Sequence, residues 1–305
     1  MTCFVFALTF ACIPGRAEVR LASARAIVVD EATGEVLLRK DVMTAAPIAS
    51  LTKLMTAMVV LDAGQDTNEE LRIEAADVDH LKHTRGGLPV GAVASRGALL
   101  ELALIASDNR AASALARHYP GGIDMFRIAV VRKIRRLRLE STLIDEPTGL
   151  SPHNQSSAED MVKVLRAAAT YPEIAQITSK RDHAVLVSGQ RRTVRNTNGF
   201  VGAPGWQILL SKTGYTNEAG RCLSMRLQAA GRTVIVVLMG AVRPSGRAVD
   251  ATNILRWLSR GAHVATSTAD KAQRVLISHA VQDDVAPLAV EAPANESPAP
   301  ALTGE

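Results

Sequence analysis

"PIASLTKLMTAMVVLDAG", residues 47–64, holds one Ser, one Lys and few other polar side chains. After Pro47, the apolar positions Leu51, Leu54, Met55, Met58, Val59 and Leu61 recur at helical spacing, and Gly64 supplies a stop. Small or apolar residues fill nearly every remaining face, so this helix is expected to be buried on most sides. Lys53 follows Ser50 by three positions, which puts both on one face. A Lys in a core is costly unless paired or neutralised, and burial lowers its pKa. That pairing describes a base beside a hydroxyl. A Ser cap followed by a snorkelling Lys would give the same letters.

Working outward, "RAIVVDEATGEVLLRKD" upstream reads as a hairpin, with strands at Ile27–Val29 and Val36–Leu38 and a turn at Thr33-Gly34. Downstream, residues 98–107 and 109–118 read as two helices broken at Ser107-Asp108-Asn109. Another helix is expected over 123–138, then the turn-rich "DEPTGLSPHN", then a Ser-capped helix in "SSAEDMVKVLRAAAT". From Trp206 the pattern changes. "WQILLSKTG", "RCLSMRLQAAG" and "RTVIVVLMG" are β-prone runs between glycine turns, and "RAVDATNILRWLSRG" is a helix to cover them. Strands at both ends with helices between predict an α+β fold, one antiparallel sheet built from the two chain ends plus a helical lobe.

The 305 residues are 47% hydrophobic, enough for a substantial core. Aromatics are only 3%, which argues against an extended stacking surface for bases or sugars, and no nucleic-acid partner is expected. A net charge of +5 fits a polyanionic neighbour or an ordinary solvated surface. Residues 1–17, "MTCFVFALTFACIPGRA", read as a secretory signal peptide whose positive start is missing, as in a truncated signal, with cleavage after Ala17. The run is short for a membrane span, so the mature chain is expected to have none. Globular patterning covers 18–262, and 263–305 is a Pro- and Ala-rich tail expected to be largely disordered apart from a short helix. Loss of Cys3 and Cys12 with the signal leaves Cys222 alone, unable to form an internal disulfide and readable as a small buried hydrophobe on a strand.

Three short patterns stand in order: Ser50-x-x-Lys53 on a helix, Ser107-Asp108-Asn109 at a helix break, and Lys212-Thr213-Gly214 late in a strand. Each alone is weak. Together they resemble the penicillin-binding serine DD-peptidases and the class A β-lactamases. "ASDNRAASALARHYPGG", "DEPTGLSPHN", "TVRNTNGFV" and "LLSKTGYTNEAGRCL" extend the likeness over residues 24–262, to the small D-alanyl-D-alanine endopeptidases. The resemblance implies a β-lactamase/DD-peptidase-like fold, a periplasmic enzyme without metal or cofactor, peptidoglycan stem peptides as substrate and β-lactams as covalent inhibitors. It implies Ser50 as nucleophile, Lys53 as its base, Ser107 as relay to the leaving amine and Asn109 as holder of the substrate amide. Lys212 would attract a substrate carboxylate and depress the Lys53 pKa. Thr213 and Gly214 would line the substrate strand, and the Tyr215 N–H would be the second oxyanion donor.

Asp108 stands where the family pattern leads one to expect Glu, and "RKIRRLRLEST", residues 132–142, is unusually basic: a solvated helix face or a contact with an anionic wall. Arg243 is taken as a carboxylate-gripping residue, with Arg247 the alternative. Asn196 and Asn198 line the cleft or form a polar turn. His80-x-x-His83 with Asp77 and Asp79 lacks a further cluster to make a metal site. Two other functions keep the same motifs. A class A-like β-lactamase would need a Glu to activate water, and the nearest stretch, Glu140–Ile144, lacks the accompanying Asn. A non-catalytic β-lactam-sensing or wall-binding module need not retain both lysines.

Overall fold

Eleven strands and seven helices run through residues 19–84 and 86–259, the part described by the computed structural model, and all of these residues fall in one compact unit. The signal-peptide and tail readings, for residues 1–17 and 263–305, lie outside them. The chain begins with the expected hairpin, β1 (Arg25–Asp30) and β2 (Val36–Lys40). Its turn is made by Asp30, whose carboxylate accepts from the Ala32 and Thr33 amides at 3.0 and 3.2 Å, while Gly34 takes φ +76°. β3 (Ala46–Pro47) leads into a 3-10 turn, Ala49–Leu51, and then α1 (Thr52–Asp62). Every α1 residue from Thr52 to Val60 is buried, as its nearly uniform apolar surface requires.

β4 (Glu70–Arg72) and β5 (Val93–Ser95) pair with each other before α2 (Arg96–Ile105), which Ser95 caps by accepting from the Ala98 amide at 3.1 Å. The helix stops before Ser107, whose left-handed φ of +59° makes the expected break. α3 (Asn109–Arg117) starts there with Asp108 as its cap, and α4 (Gly122–Arg136) follows. β6 (Gln155–Ser156) pairs with β3, so the chain entering the Ser50 turn is stapled to the chain leaving loop 145–154. α5 (Ala158–Ala168) is capped by Ser157, and α6 (Pro172–Thr178) begins on its Pro.

A hairpin follows, β7 (Asp182–Val187) with β8 (Gln190–Arg195), and then the meander β9 (Gln207–Thr216), β10 (Gly220–Ala229) and β11 (Arg232–Ala241), closed by α7 (Gly246–Ser259). The five-stranded sheet runs β2-β1-β11-β10-β9, antiparallel throughout, so strands from the two ends of the chain lie side by side. Six consecutive β11 residues, Val234 to Met239, are buried because both faces are covered. Ile235, Val237 and Met239 join Met161 and Leu165 of α5 in the main core, and α7 packs on β10 and β11. Asp250 of α7, 1% exposed, ties down the start of the described chain by accepting from the Ala22 and Ser23 amides and the Ser23 hydroxyl at 2.6–2.8 Å.

Candidate active site

Ser50 lies in the 3-10 turn that leads directly into α1, half-buried, with its hydroxyl 3.0 Å from the Lys53 amine. Lys53 is 1% exposed. Its amine donates to Asn109 Oδ1 at 2.7 Å and to the Thr148 carbonyl at 2.6 Å as well. Neither of those oxygens can donate back, so each holds an N–H. When the amine is neutral, its lone pair is therefore left facing the Ser50 hydroxyl. Burial pulls the Lys53 pKa down to about 8, opposed by the charges of Glu146 and Asp108.

Lys212, on β9, is also 1% exposed, and its amine donates to Ser107 Oγ at 2.8 Å and to the Thr213 carbonyl at 3.0 Å. The three motifs thus converge through side-chain hydrogen bonds. Lys212 is held well below the ordinary lysine range, first by burial and then by the Lys53 charge and Arg247. The sequence reading had Lys212 depressing Lys53. That coupling is mutual, and Lys53 is in addition flanked by the carboxylates of Glu146 and Asp108, whereas Lys212 is flanked by cations.

Glycine makes the close approach of strand and turn achievable. A Cβ on Gly214 would lie 2.8 Å from the Ile48 carbonyl oxygen and 3.1 Å from the Ser50 nitrogen. Gly149, at φ +86°, is tighter: a Cβ there would sit 2.0 Å from the Ala49 carbonyl oxygen and 2.9 Å from the Ser50 nitrogen. The turn carrying Ser50 is gripped between β9 and loop 145–154. Ala49, itself at φ +48°, is the residue squeezed.

The remaining expected residues separate. Thr213 is buried, and its hydroxyl pairs with that of Thr197 at 2.7 Å, a partner the sequence did not single out. Asn196 bonds the Thr178 and Lys180 carbonyls and the Asn198 amide, so this segment is a polar turn that presents Thr197. Tyr215 is 51% exposed, its ring under the Arg221 guanidinium at 4.5 Å. Arg247 reaches back to the Gly214 and Cys222 carbonyls, each at 2.9 Å, whereas Arg243 stands exposed on the loop after β11. Asp77 is paired with Arg117, and Asp79 accepts from three amides and the Thr84 hydroxyl, so both acids of the His80–His83 stretch serve the local chain. Cys222 is buried on β10, and burial pushes its thiol up to about 11. Of the basic run, Lys133 is buried and bonded to Asp62 and the Tyr171 hydroxyl, and Arg136 joins the same carboxylate. Arg132 and Arg135 are exposed.

The sequence profile of the peptidase S11 family, described as D-alanyl-D-alanine carboxypeptidase, matches residues 14–243. The chain belongs to the peptidase S11 family. It is 40% identical to a D-alanyl-D-alanine endopeptidase of Pseudomonas aeruginosa over 257 residues, covering 84% of this chain and 83% of the relative. It is equally similar, at 40% over 243 residues, to the D-alanyl-D-alanine endopeptidase of Escherichia coli K12, covering 79% and 78%. Among solved structures, the Streptomyces K15 DD-transpeptidase superposes with a TM-score of 0.73 at 25% identity, over 79% of this chain and 98% of that one. A D-alanyl-D-alanine carboxypeptidase of Mycobacterium tuberculosis H37Rv gives 0.72 at 27% identity, over 80% and 94%. The S11 peptidase described here therefore has the DD-peptidase fold and is a serine hydrolase of the DD-peptidase class. Among its described residues, no helix is long and apolar enough to cross a membrane.

Proposed function

We propose that this S11 peptidase opens D-alanyl cross-links of peptidoglycan through an acyl-enzyme on Ser50, and that penicillins acylate the same hydroxyl. The observation that carries this reading is the Lys53 amine, held by two obligate acceptors with its third position on the Ser50 hydroxyl at 3.0 Å. In the first step Ser50 Oγ attacks the D-alanyl carbonyl carbon and its proton passes to neutral Lys53. The oxyanion is held by the backbone N–H groups of Ser50 and Tyr215, in keeping with the close approach of Gly214 to the Ser50 nitrogen. Ser107 accepts from Lys212, so its own hydroxyl proton can pass to the leaving amine as the C–N bond breaks, and the proton that Lys53 took from Ser50 then replaces it, leaving both groups neutral. Water then attacks the ester along the reverse proton path, restoring Ser50. Lys212 and Thr213 receive the peptide beside β9, and Arg247, rather than the exposed Arg243, buttresses that strand through its carbonyls.

Endopeptidase over carboxypeptidase activity rests on the two relatives of that name and on the length they share with this chain. A periplasmic setting rests on the same kinship and on the apolar residues 1–17. Against a β-lactamase, Glu140 is exposed, and both oxygens of Glu146 are engaged by donors of its own loop, so neither supports a water-activating role. Against a mere sensor, both lysines are retained and both are buried. The test is incubation with purified cross-linked muropeptides and separation of products by mass. Monomers from wild type and none from Ser50→Ala is the expected outcome. Rapid turnover of a penicillin, or labelling without any cleavage, would overturn the assignment.

A further inference from the structure

Loop 145–154 is built around one side chain that no motif reading picks out. Glu146 Oε1 accepts from the amides of Gly149, Leu150 and Ser151 at 2.6, 2.8 and 3.2 Å, and from Asn154 Nδ2 at 3.1 Å. Its Oε2 accepts from the Thr148 amide and hydroxyl at 2.7 and 2.6 Å. Six donors converge on one carboxylate, which pins the loop into a single shape. Asn154, fully buried, locks the other side by accepting from the Asp145 and Glu146 amides and donating to the Thr52 hydroxyl. The neighbouring acid, Asp145, is turned away onto the Ser151 hydroxyl.

The consequence lies at Thr148. Its amide and hydroxyl are held by Glu146, and its carbonyl oxygen is the 2.6 Å acceptor of the Lys53 amine. The next peptide along, Pro147, accepts from Thr56 of α1 at 2.7 Å, so the carbonyl is aimed from a loop tied on both sides. We infer that Glu146 is a positioning residue for acylation, aiming the Thr148 carbonyl at the base. The inference rests on Lys53 acting as base. The charged groups facing the Lys53 amine are Glu146 from this loop, Asp108 from the cap of α3 and Lys212 from β9. Of the two acids, Glu146 has the larger effect on Lys53, raising its pKa against the pull of burial. Asp108 spends its carboxylate on the Ala111 and Gly87 amides.

The experiment is a pH profile of the acylation rate with a fluorescent penicillin, for wild type, Glu146→Gln and Glu146→Asp, with near-UV circular dichroism to verify folding. The Gln variant is nearly isosteric but loses the charge and turns an NH2 toward donors of its own loop, so its midpoint should move to lower pH, and its plateau should fall roughly tenfold as the loop loosens. The Asp variant keeps the charge and shortens the reach, so its plateau should fall while its midpoint moves less than that of the Gln variant. A Gln profile with an unmoved midpoint would overturn the inference, since loss of the aimed carbonyl, like loss of the charge, must shift it. Should the Gln variant fail to fold, an Asp variant with the plateau of wild type would overturn it equally. If wild type itself is not acylated at Ser50, the reading of the site fails instead, and the two failures are told apart by that control.

Discussion

Gly149→Ala addresses the tightest contact in the site. The added methyl would sit 2.0 Å from the Ala49 carbonyl oxygen, with no flexible side chain to yield, since both partners are backbone. A carbon settles against a carbonyl oxygen at about 3.3 Å or more, so loop and turn must part by roughly 1.3 Å. The Thr148 carbonyl, one residue away, bonds Lys53 at 2.6 Å, and a shift of that size stretches the bond beyond hydrogen-bonding distance. An Ala at positive φ costs about 1 kcal/mol, and losing a hydrogen bond to a charged group adds about 1.5–3. The variant should therefore be about 2.5–4 kcal/mol less stable and should acylate roughly 100-fold more slowly, the scale expected for an ångström of misplacement. Gly64→Ala is the matched control. Gly64 also has positive φ, +62°, at the end of α1, but nothing lies within 4 Å of the added methyl. It should lose only about 1 kcal/mol and keep the wild-type rate. Urea unfolding and stopped-flow penicillin labelling read both quantities. Equal stability losses in the two variants, with Gly149→Ala labelling within threefold of wild type, would refute the grip described for the Ser50 turn.

Ser50→Ala should abolish penicillin labelling, and Lys53→Ala should slow it by orders of magnitude with the fold retained by circular dichroism; normal labelling by either excludes the assigned roles. The wild-type acylation rate should climb as pH rises through about 8, because the working form of Lys53 is the neutral one. From about 1% neutral at pH 6 to about half at pH 8, the rise is about 50-fold, and a flat profile would argue for a permanently charged, electrostatic Lys53. Asp250→Ala strands three donors of Ala22 and Ser23 and should cost about 2–4 kcal/mol in urea unfolding while leaving the labelling rate alone. An unchanged urea midpoint would show that the tether contributes nothing.

Residues whose role depends on local chemistry were legible before any coordinates. The burial of α1 follows from its uniform apolarity, the hairpin turn from Thr33-Gly34, the α5 start from Ser157, and the two-ended sheet from β-prone runs at both extremes. The β7–β8 hairpin was missed, since "DHAVLVSGQRRTVR" carries arginines on an exposed two-stranded ribbon and lacks clean alternation. Glu146 was missed for a different reason. Its six donors are mostly backbone amides, which every residue possesses, so nothing in the letters marks them. A Glu before Pro-Thr-Gly-Leu-Ser is the trace that could have pointed to it, because the carboxylate must fold back on the amides that follow. Thr197 was hidden likewise, its partner Thr213 lying across a gap that only the fold closes. Arg243 and Arg247 differ by four positions, and only α7 decides which one turns toward β9.

The order of the sheet also governs when the molecule can work. β11, its middle member, is the last strand to be made, and its partner β1 precedes it by roughly two hundred residues. A chain leaving the ribosome with Ser50 and Lys53 already exposed has nowhere to anchor the meander that brings Lys212 beside them. Long-range pairings of this kind close slowly. A fragment cut short before residue 232 carries Ser50, Lys53 and Lys212 but lacks the strand that joins β1 to the meander.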